Sequence, residues 1–303
     1  MLVRGLGDHS FSDAANAGLQ AARQRLGITP VLVQTRSVSD YQADLIRLAS
    51  AGSAETFAIG YNMAADLAQV APRFPEAHFA IVDAVVDAPN VTSVTFRAEE
   101  GSFLAGALAA LTTRTKTIAF LGGADEPIIR TFEAGYIAGA REIDPSIRVL
   151  VKFVGSFEDV PAGKELAGVL YSQRADIIYA AAGSAGLGAI GEARERSGAY
   201  VIGVDMNEDG LAPGKVLTSV LKRVDVGVYR ICALAAANAQ RPKHLSIGLK
   251  EGGVGLTDFR YTRAIVTAAD RGKLDRLKNA LIAGRIVAPH DLEGLAAFRP
   301  APL

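Results

Sequence analysis

Gly186, Gly188 and Gly191 stand in the spacing G-x-G-x-x-G within "AAAGSAGLGAIGEA". The apolar run "ADIIYAA" precedes them, a helix-like run follows, and Asp205 ends "YVIGVD" 19 residues beyond Gly186. Such a set binds a dinucleotide when the glycines turn a strand into a helix and the acid takes a ribose hydroxyl. Two features weaken that chemistry here. In a dinucleotide fold the first glycine follows its strand at once, so that the pyrophosphate meets the helix N-terminus; here "AAGSA" intervenes. The motif also sits in the sixth or seventh strand–helix unit, not in an opening one. The simpler reading is a loop whose glycines allow positive φ and close backbone approach. The helix N-terminus beside it would donate N–H groups to a ligand oxygen. An NAD- or FAD-dependent oxidoreductase using Gly186–Gly191 stays as a rival.

"GLGDHSFSDAANAGL" offers different chemistry. A strand ends at a Gly-rich turn, and Asp8, Ser10, Ser12 and Asp13 sit where a helix would be capped. Phe11 puts a large apolar ring into that polar turn, suited to stacking on a flat ligand. "VGSFEDVPAG" repeats the picture with Phe157, and two such rings would sandwich an aromatic ligand. Asp83 and Asp205 end "FAIVD" and "VIGVD". Each carboxylate can accept two hydroxyl or N–H donors, which fits adjacent sugar hydroxyls or the edge of a base. Lys222, in "TSVLKRVD", follows a strand and is placed to pair with Asp205 and donate to the same ligand.

Catalysis has no comparable set. His9, His78, His244 and His290 are scattered without ligand spacing. "AGSAG" misses the nucleophile elbow, and neither a P-loop nor H-E-x-x-H occurs. The single Cys232, in "VYRICALAAANA", makes no internal disulfide or Cys-rich metal site and reads as a packed core thiol. The expectation is a binding protein with no cofactor, not an enzyme.

These residues need elements to bring them together. Short apolar runs alternate with longer amphipathic ones. The first series reads strand 2–6, helix 12–27, strand 31–35, helix 40–51, strand 56–60, helix 62–72 and strands 78–83 and 90–96. The second reads helix 99–113, strand 117–123, helix 127–143, strand 148–155, helix 161–172, strand 176–182, helix 186–197 and strands 200–205 and 215–221. Continuous apolar strands fit a parallel sheet covered on both faces, and the alternation is the α/β signature. The repeated order predicts two Rossmann-like, doubly wound domains. Ligands in such sheets bind outside the carboxyl ends of the strands, so facing domains would form a cleft. The residues just after each strand are 8–13, 35–37, 60–62 (ending at Asn62) and Asp83, then Gly122, Gly123, 155–157, 183–186 and Asp205. The tail holds helix 224–240, a Gly-rich stretch "IGLKEGGVGLTD" and a helix–loop–helix. If it crosses back, the domains share three connections and a hinge that can close on a ligand. The expected lobes are 1–96 with 222–248, and 97–221 with 249–303.

Size and composition agree. A chain of 303 residues holds two ordinary domains. Lys plus Arg equals Asp plus Glu, 32 each, and no basic stripe stands out, which disfavours a nucleic acid polymer as partner. No run approaches the ~18 apolar residues of a membrane span, and "FLAGALAALT" reads as a buried helix. "MLVRGLGDHSF" enters a strand without a leader, which suggests a cytosolic protein or one whose native leader is missing.

Eight segments, in order, carry a family resemblance: "GLGDHSFSDAANAGL", "FAIVDAVVDAPNVTSVTFRAEEGSFLAGALAA", "IAFLGG", "FEAGYIAGA", "VGSFEDVPAGKELA", "ADIIYAAAGSAGLGAIGEA", "YVIGVDMNEDGLAPGKVLTSVLKRVD" and "EGGVGL". Over nearly its whole length the chain resembles the basic membrane protein family of ABC-transporter solute-binding proteins, the purine-nucleoside receptor type. The resemblance implies a type I periplasmic-binding-protein fold with three hinge crossings, and a glycine loop that lines a cleft floor. It implies a purine nucleoside with its base between Phe11 and Phe157 and Asp83 on the polar edge of the purine. Asp205 and Lys222 would hold the ribose hydroxyls, helped by backbone around Gly183. The chain departs from the family at Ser12, where the turn usually carries Asn; Asp13 or Asn62 would substitute, and the choice of base stays open. The resemblance further implies a monomer serving an ABC permease and its ATPase. Its location would be periplasmic or extracellular and membrane-associated, although neither leader nor anchor Cys is present in this chain. Riboflavin, another flat heterocycle or a free purine stand as alternative ligands.

Overall fold

The computed structural model describes residues 1–35 and 37–300. The chain divides into two units, Met1–Phe96 with Arg223–Ile247, and Arg97–Lys222 with the chain from Gly248 onward. The first unit opens with β1 (Leu2–Val3), α1 (Phe11–Leu26), β2 (Val33–Gln34) and α2 (Tyr41–Ser50). It continues through β3 (Thr56–Ile59), α3 (Ala64–Val70), β4 (Phe79–Val82) and β5 (Val91–Phe96). The second holds α4 (Ala98–Thr112), β6 (Thr117–Gly122), α5 (Pro127–Ile143), β7 (Arg148–Phe153) and α6 (Val160–Ser172). It continues through β8 (Ile177–Ala181), α7 (Ser184–Glu195), β9 (Tyr200–Asp205) and β10 (Val216–Lys222). The chain then returns to the first unit for α8 (Val224–Ala236) and β11 (His244–Ile247), and ends in the second with β12 (Val254–Leu256), α9 (Ala268–Ile282) and α10 (Leu292–Ala297).

Among the described residues each unit carries one six-stranded sheet, in the orders β2-β1-β3-β4-β5-β11 and β7-β6-β8-β9-β10-β12. Both follow the doubly wound 2-1-3-4-5 order. All pairs are parallel except β10 with β12. The strands are apolar because helices cover both faces. In the first unit Phe79 and Ile81 of β4 pack with Tyr41, Leu45 and Leu67. In the second, Ile178 and Val201 pack with Leu170 and Ala189. Helix α4 is buried without a break from Gly101 to Ala109, as its apolar sequence requires.

Several elements differ from the sequence reading. The first strand keeps only Leu2–Val3. Helix 62–72 contracts to α3 between two 3-10 turns, Tyr61–Met63 and Ala71–Arg73, because Pro72 cannot donate to a continuing helix. The helix expected to reach residue 240 stops at Ala236. Strands β11 and β12 were not expected: both are short edge strands, and β11 exposes His244 and Ser246.

The glycine motif is the main correction. Helix α7 begins at Ser184, so Gly186, Gly188 and Gly191 are helical and form no loop. A Cβ on Gly188 would lie 2.2 Å from the Val160 carbonyl oxygen of α6, whereas Gly186 has ordinary room and Gly191 has nothing within 4 Å. The middle glycine therefore serves a close helix crossing. The turn itself falls on Gly183, with φ 57°.

The two points at which the chain enters the second unit, Arg97 and Gly248, share a charge cluster. Arg97 donates to Glu100 (2.7 Å) and to Glu251. Glu251 accepts from the Gly248 N–H (2.9 Å), and Glu100 from the Leu249 N–H (2.6 Å). In the first unit Arg241 Nε meets Glu55 Oε2 at 2.6 Å, with the Glu55 side chain only 5% exposed. Burial outweighs the guanidinium and pushes the Glu55 carboxyl from 4.5 up to about 7.

Replacing Gly188 by Val should lower stability by roughly 1–3 kcal/mol in urea unfolding, because α6 has no room for the side chain. Gly191→Ala should be neutral or stabilise by up to about 1 kcal/mol. The Glu55 carboxyl gives a second expectation. Its folded value lies above its unfolded one, so its contribution is complete below 4.5 and is lost as pH rises through about 7. Unfolding at about pH 6 and about pH 8 should show the parent losing stability relative to Glu55→Gln.

Candidate functional site

The carboxyl ends of the strands gather the candidate residues of each unit. In the first, the turn after β1 is tied by two interlocked carboxylates. Asp8 accepts from the N–H groups of Ser10 (2.9 Å), Ser12 (2.8 Å) and Asp13 (3.1 Å). Asp13 reaches back to accept from Gly7 and His9, both at 2.9 Å. Asp8 thus satisfies the first N–H groups of α1, and Asp13 fixes the turn that leads into it. Ser10 and Ser12 are buried and Phe11, the first residue of α1, is half-buried.

The turn after β3 stands beside this one. A Cβ on Gly60 would lie 3.8 Å from the Phe11 ring edge and 2.9 Å from Asn62 Oδ1. Phe11 and Asn62 therefore flank the same glycine. Asn62 Nδ2 donates to the hydroxyl of the buried Tyr41 (2.8 Å), which fixes the amide's orientation. Tyr41 opens α2 and looks like core in the sequence; nothing marks its hydroxyl as a partner. Thr35 and Ser37 lie by β2, where Thr35 Oγ1 donates to the Ser37 carbonyl (3.1 Å); Arg36, between them, lies outside the described residues.

Asp83 follows β4, and Asp205 ends β9. Their backbones are alike: φ is 67° at Asp83 and 62° at Asp205. An Asp in the left-handed region is uncommon and costs energy that a Gly would not. Oδ1 of each is buried. The two residues thus match in strand number, in positive φ and in a buried Oδ1, one in each unit.

In the second unit the ring of Phe157 lies against the Gly123 backbone, where a Cβ would come within 2.2 Å of it. The Phe157 carbonyl accepts from the Ala185 N–H of α7 (3.1 Å). It also lies 3.1 Å from where a Cβ on Gly183 would be. Phe157, Gly123 and Gly183 therefore form one shelf. This ring is not the repeat of Phe11: Phe157 follows the edge strand β7, while the equivalent of Phe11's turn is the one after β6. Lys222 is the last residue of β10 and belongs to the second unit, one residue past Leu221, which pairs in register with Asp205. It is 3% exposed, and its ammonium lies 5.6 Å from the centre of the Phe132 ring, a cation–π distance. Phe132 lies within an ordinary helical pattern, so the sequence does not announce it.

Further buried acids support this corner. Glu208 and Asp209, in "MNEDG", look like turn residues but are each 3% exposed. Burial raises the Asp209 carboxyl above its ordinary value, against hydrogen bonds from Thr257 and Ser219 that lower it. Among the described residues no cluster of His, Cys, Asp and Glu suits a metal ion. No helix is long and apolar enough to cross a membrane.

Comparison with known proteins agrees with these units. The family described as "ABC transporter substrate-binding protein PnrA-like" matches residues 1–291. Basic membrane protein A of Borreliella burgdorferi is 36% identical over 299 residues, covering 96% of this chain and 87% of that protein. The ABC transporter nucleoside-binding protein BmpA of Lactococcus lactis subsp. cremoris is 33% identical over 310 residues, covering 95% and 87%. A solved ABC transporter solute-binding protein from Aeropyrum pernix superposes with a TM-score of 0.88 at 28% identity, over 98% of this chain and 94% of that one. The fold is that of type I periplasmic binding proteins. The chain belongs to the PnrA-like (Bmp) family of ABC transporter substrate-binding proteins, and is a binding protein, not an enzyme.

Proposed function

We propose that this substrate-binding protein delivers a purine nucleoside to its transporter. As a family member it takes a small molecule at the periplasmic or extracellular face and works with transporter subunits. The reading adds the ligand and how it is held. Phe11 and Phe157 stack on the base, and Asp83 takes its polar edge, with Ser12 and Asn62 beside it. Asp205 and Lys222 take the ribose hydroxyls, with backbone from Gly183. Asp8, Ser10 and Asp13 act by holding the turn that presents Phe11. The three chain crossings let the protein close on its ligand as a monomer, membrane-associated, before it meets the permease and its ATPase.

The observation that carries the reading is the pair Asp83 and Asp205, one per unit, at equivalent strand ends and in the same left-handed conformation. A nucleoside needs two such acceptors, one for base N–H groups and one for adjacent hydroxyls. The nucleoside-binding relative from Lactococcus lactis supports the same class.

Calorimetric titration of ligand-stripped protein checks this. Adenosine, guanosine and inosine are compared with uridine, adenine, riboflavin and NADH. One-to-one binding should be confined to purine nucleosides, and adenine should bind about 100-fold more weakly than adenosine, because buried polar groups are left unpaired. Equal affinity for the two would end the ribose role of Asp205 and Lys222, and heat from riboflavin or NADH alone would reopen the ligand class. Asp205→Asn should weaken adenosine by roughly 10–100-fold, the range of a charged hydrogen bond.

A further inference from the structure

The turn at Asp205 is tighter than its counterpart's backbone angle alone requires. The Met206 N–H reaches back to the Val204 carbonyl at 2.7 Å, which closes a three-residue turn around Asp205. With φ at 62° its centre lies on the positive-φ side, where three-residue turns are rare and strained. Something must hold it there.

Glu208 is built to do so. Its Oε2 accepts from the Val204 N–H at 3.0 Å, across the turn from its own backbone. The pairing of β8 with β9 ends at Tyr179 and Ile202, and this carboxylate takes the Val204 N–H beyond it. Gly203 makes room, since a Cβ there would stand 2.3 Å from Glu208 Oε2 and 2.8 Å from Ser219 Oγ. The backbone of Glu208 is fixed in turn: its N–H donates to Ser219 Oγ (2.9 Å), and that hydroxyl donates to Asp209 Oδ1 (2.7 Å). Thr257 Oγ1 accepts from the Ser219 N–H (3.0 Å), anchoring the serine to the segment after β12. Buried groups thereby hold the Val204 end of the turn and the Glu208 backbone that follows it.

We infer that Glu208 is a positioning residue that sets ribose discrimination, by holding the Asp205 turn through the Val204 N–H with Ser219 as its anchor. The inference rests on the nucleoside reading given above. A carboxylate fixed before the ligand arrives loses little freedom on binding, and a ligand without hydroxyls forfeits the hydrogen bonds that this geometry offers. A loosened turn lets Asp205 swing toward water, and the penalty for missing hydroxyls falls. The hydroxyl-dependent part of affinity should therefore change while the base-dependent part stays.

The test is the ratio of affinities for adenosine and 2′,3′-dideoxyadenosine, measured by calorimetry on the full chain. Glu208→Ala and Ser219→Ala should each lower the ratio roughly tenfold or more, with dideoxyadenosine affinity within about threefold of the parent. Glu208→Gln keeps an oxygen for the Val204 N–H and should restore most of the ratio. Ser219→Ala alters no charge and serves if Glu208→Ala does not fold, as judged by circular dichroism. Amide exchange at Val204 should speed up in Glu208→Ala with no ligand present. An unchanged ratio in a folded Glu208→Ala or a folded Ser219→Ala overturns the inference, as does an equal loss for both ligands. If the parent binds no nucleoside, the ligand reading itself fails and the inference falls with it. If the parent discriminates and the variants do also, only the inference is lost.

Discussion

A strand that ends in a left-handed residue turns sharply and leaves that residue's side chain at the strand's end. This constraint governs both units. Asp83 and Asp205 each accept it without the freedom of glycine, at a cost of about 1–2 kcal/mol apiece. Such a conformation persists only where the surroundings over-determine it. Strands β4 and β9 lie inside their sheets, each paired on both sides, so the strand cannot shift to relieve the turn. Around Asp205 the buried carboxylate of Glu208 adds a further restraint. The placement of the two carboxylates follows from geometry that the sheets impose, and the sheets depend on helices packed closely enough to hold them.

The two units meet the same demand with different local means. In the first, the turn after β1 is fixed by carboxylates folded onto its own backbone, so the acids there shape the loop that carries Phe11. In the second, the ring of Phe157 rests on glycine backbone and is tied to the start of α7. The crossing of α6 and α7 at Gly188 therefore bears on the seat of Phe157 without touching that ring. The glycine motif is a packing feature, through Gly188 alone.

Regular elements were legible where their signal is local. The helix Pro127–Ile143 and the strand Tyr200–Asp205 fall where hydrophobic pattern and a leading Pro or a trailing Asp put them. The repeat and the equivalence of Asp83 and Asp205 were legible for the same reason. What stayed hidden depends on partners distant in sequence. Strand β11 exists because Thr95 and Phe96 lie alongside it, and its own residues carry little apolar signal. Glu208 and Asp209 read as solvated turn acids because their partners are Val204, Ser219 and Thr257, met only in the fold. The G-x-G-x-x-G spacing misled because helix packing and nucleotide loops ask for the same residue.

The first sheet is completed by a strand that the ribosome makes late. Strand β5 stays an open edge until β11 arrives, about 150 residues after Phe96. The same delay holds for α8, whose Asp225 backbone closes against Gly18 of α1. At about 5–20 residues per second, the first unit spends roughly ten to thirty seconds unable to finish folding. An unfinished parallel sheet with a bare edge invites pairing with other chains. The second unit waits too, since β10 gains its edge partner β12 and α4 its neighbour α9 only from the chain after Gly248.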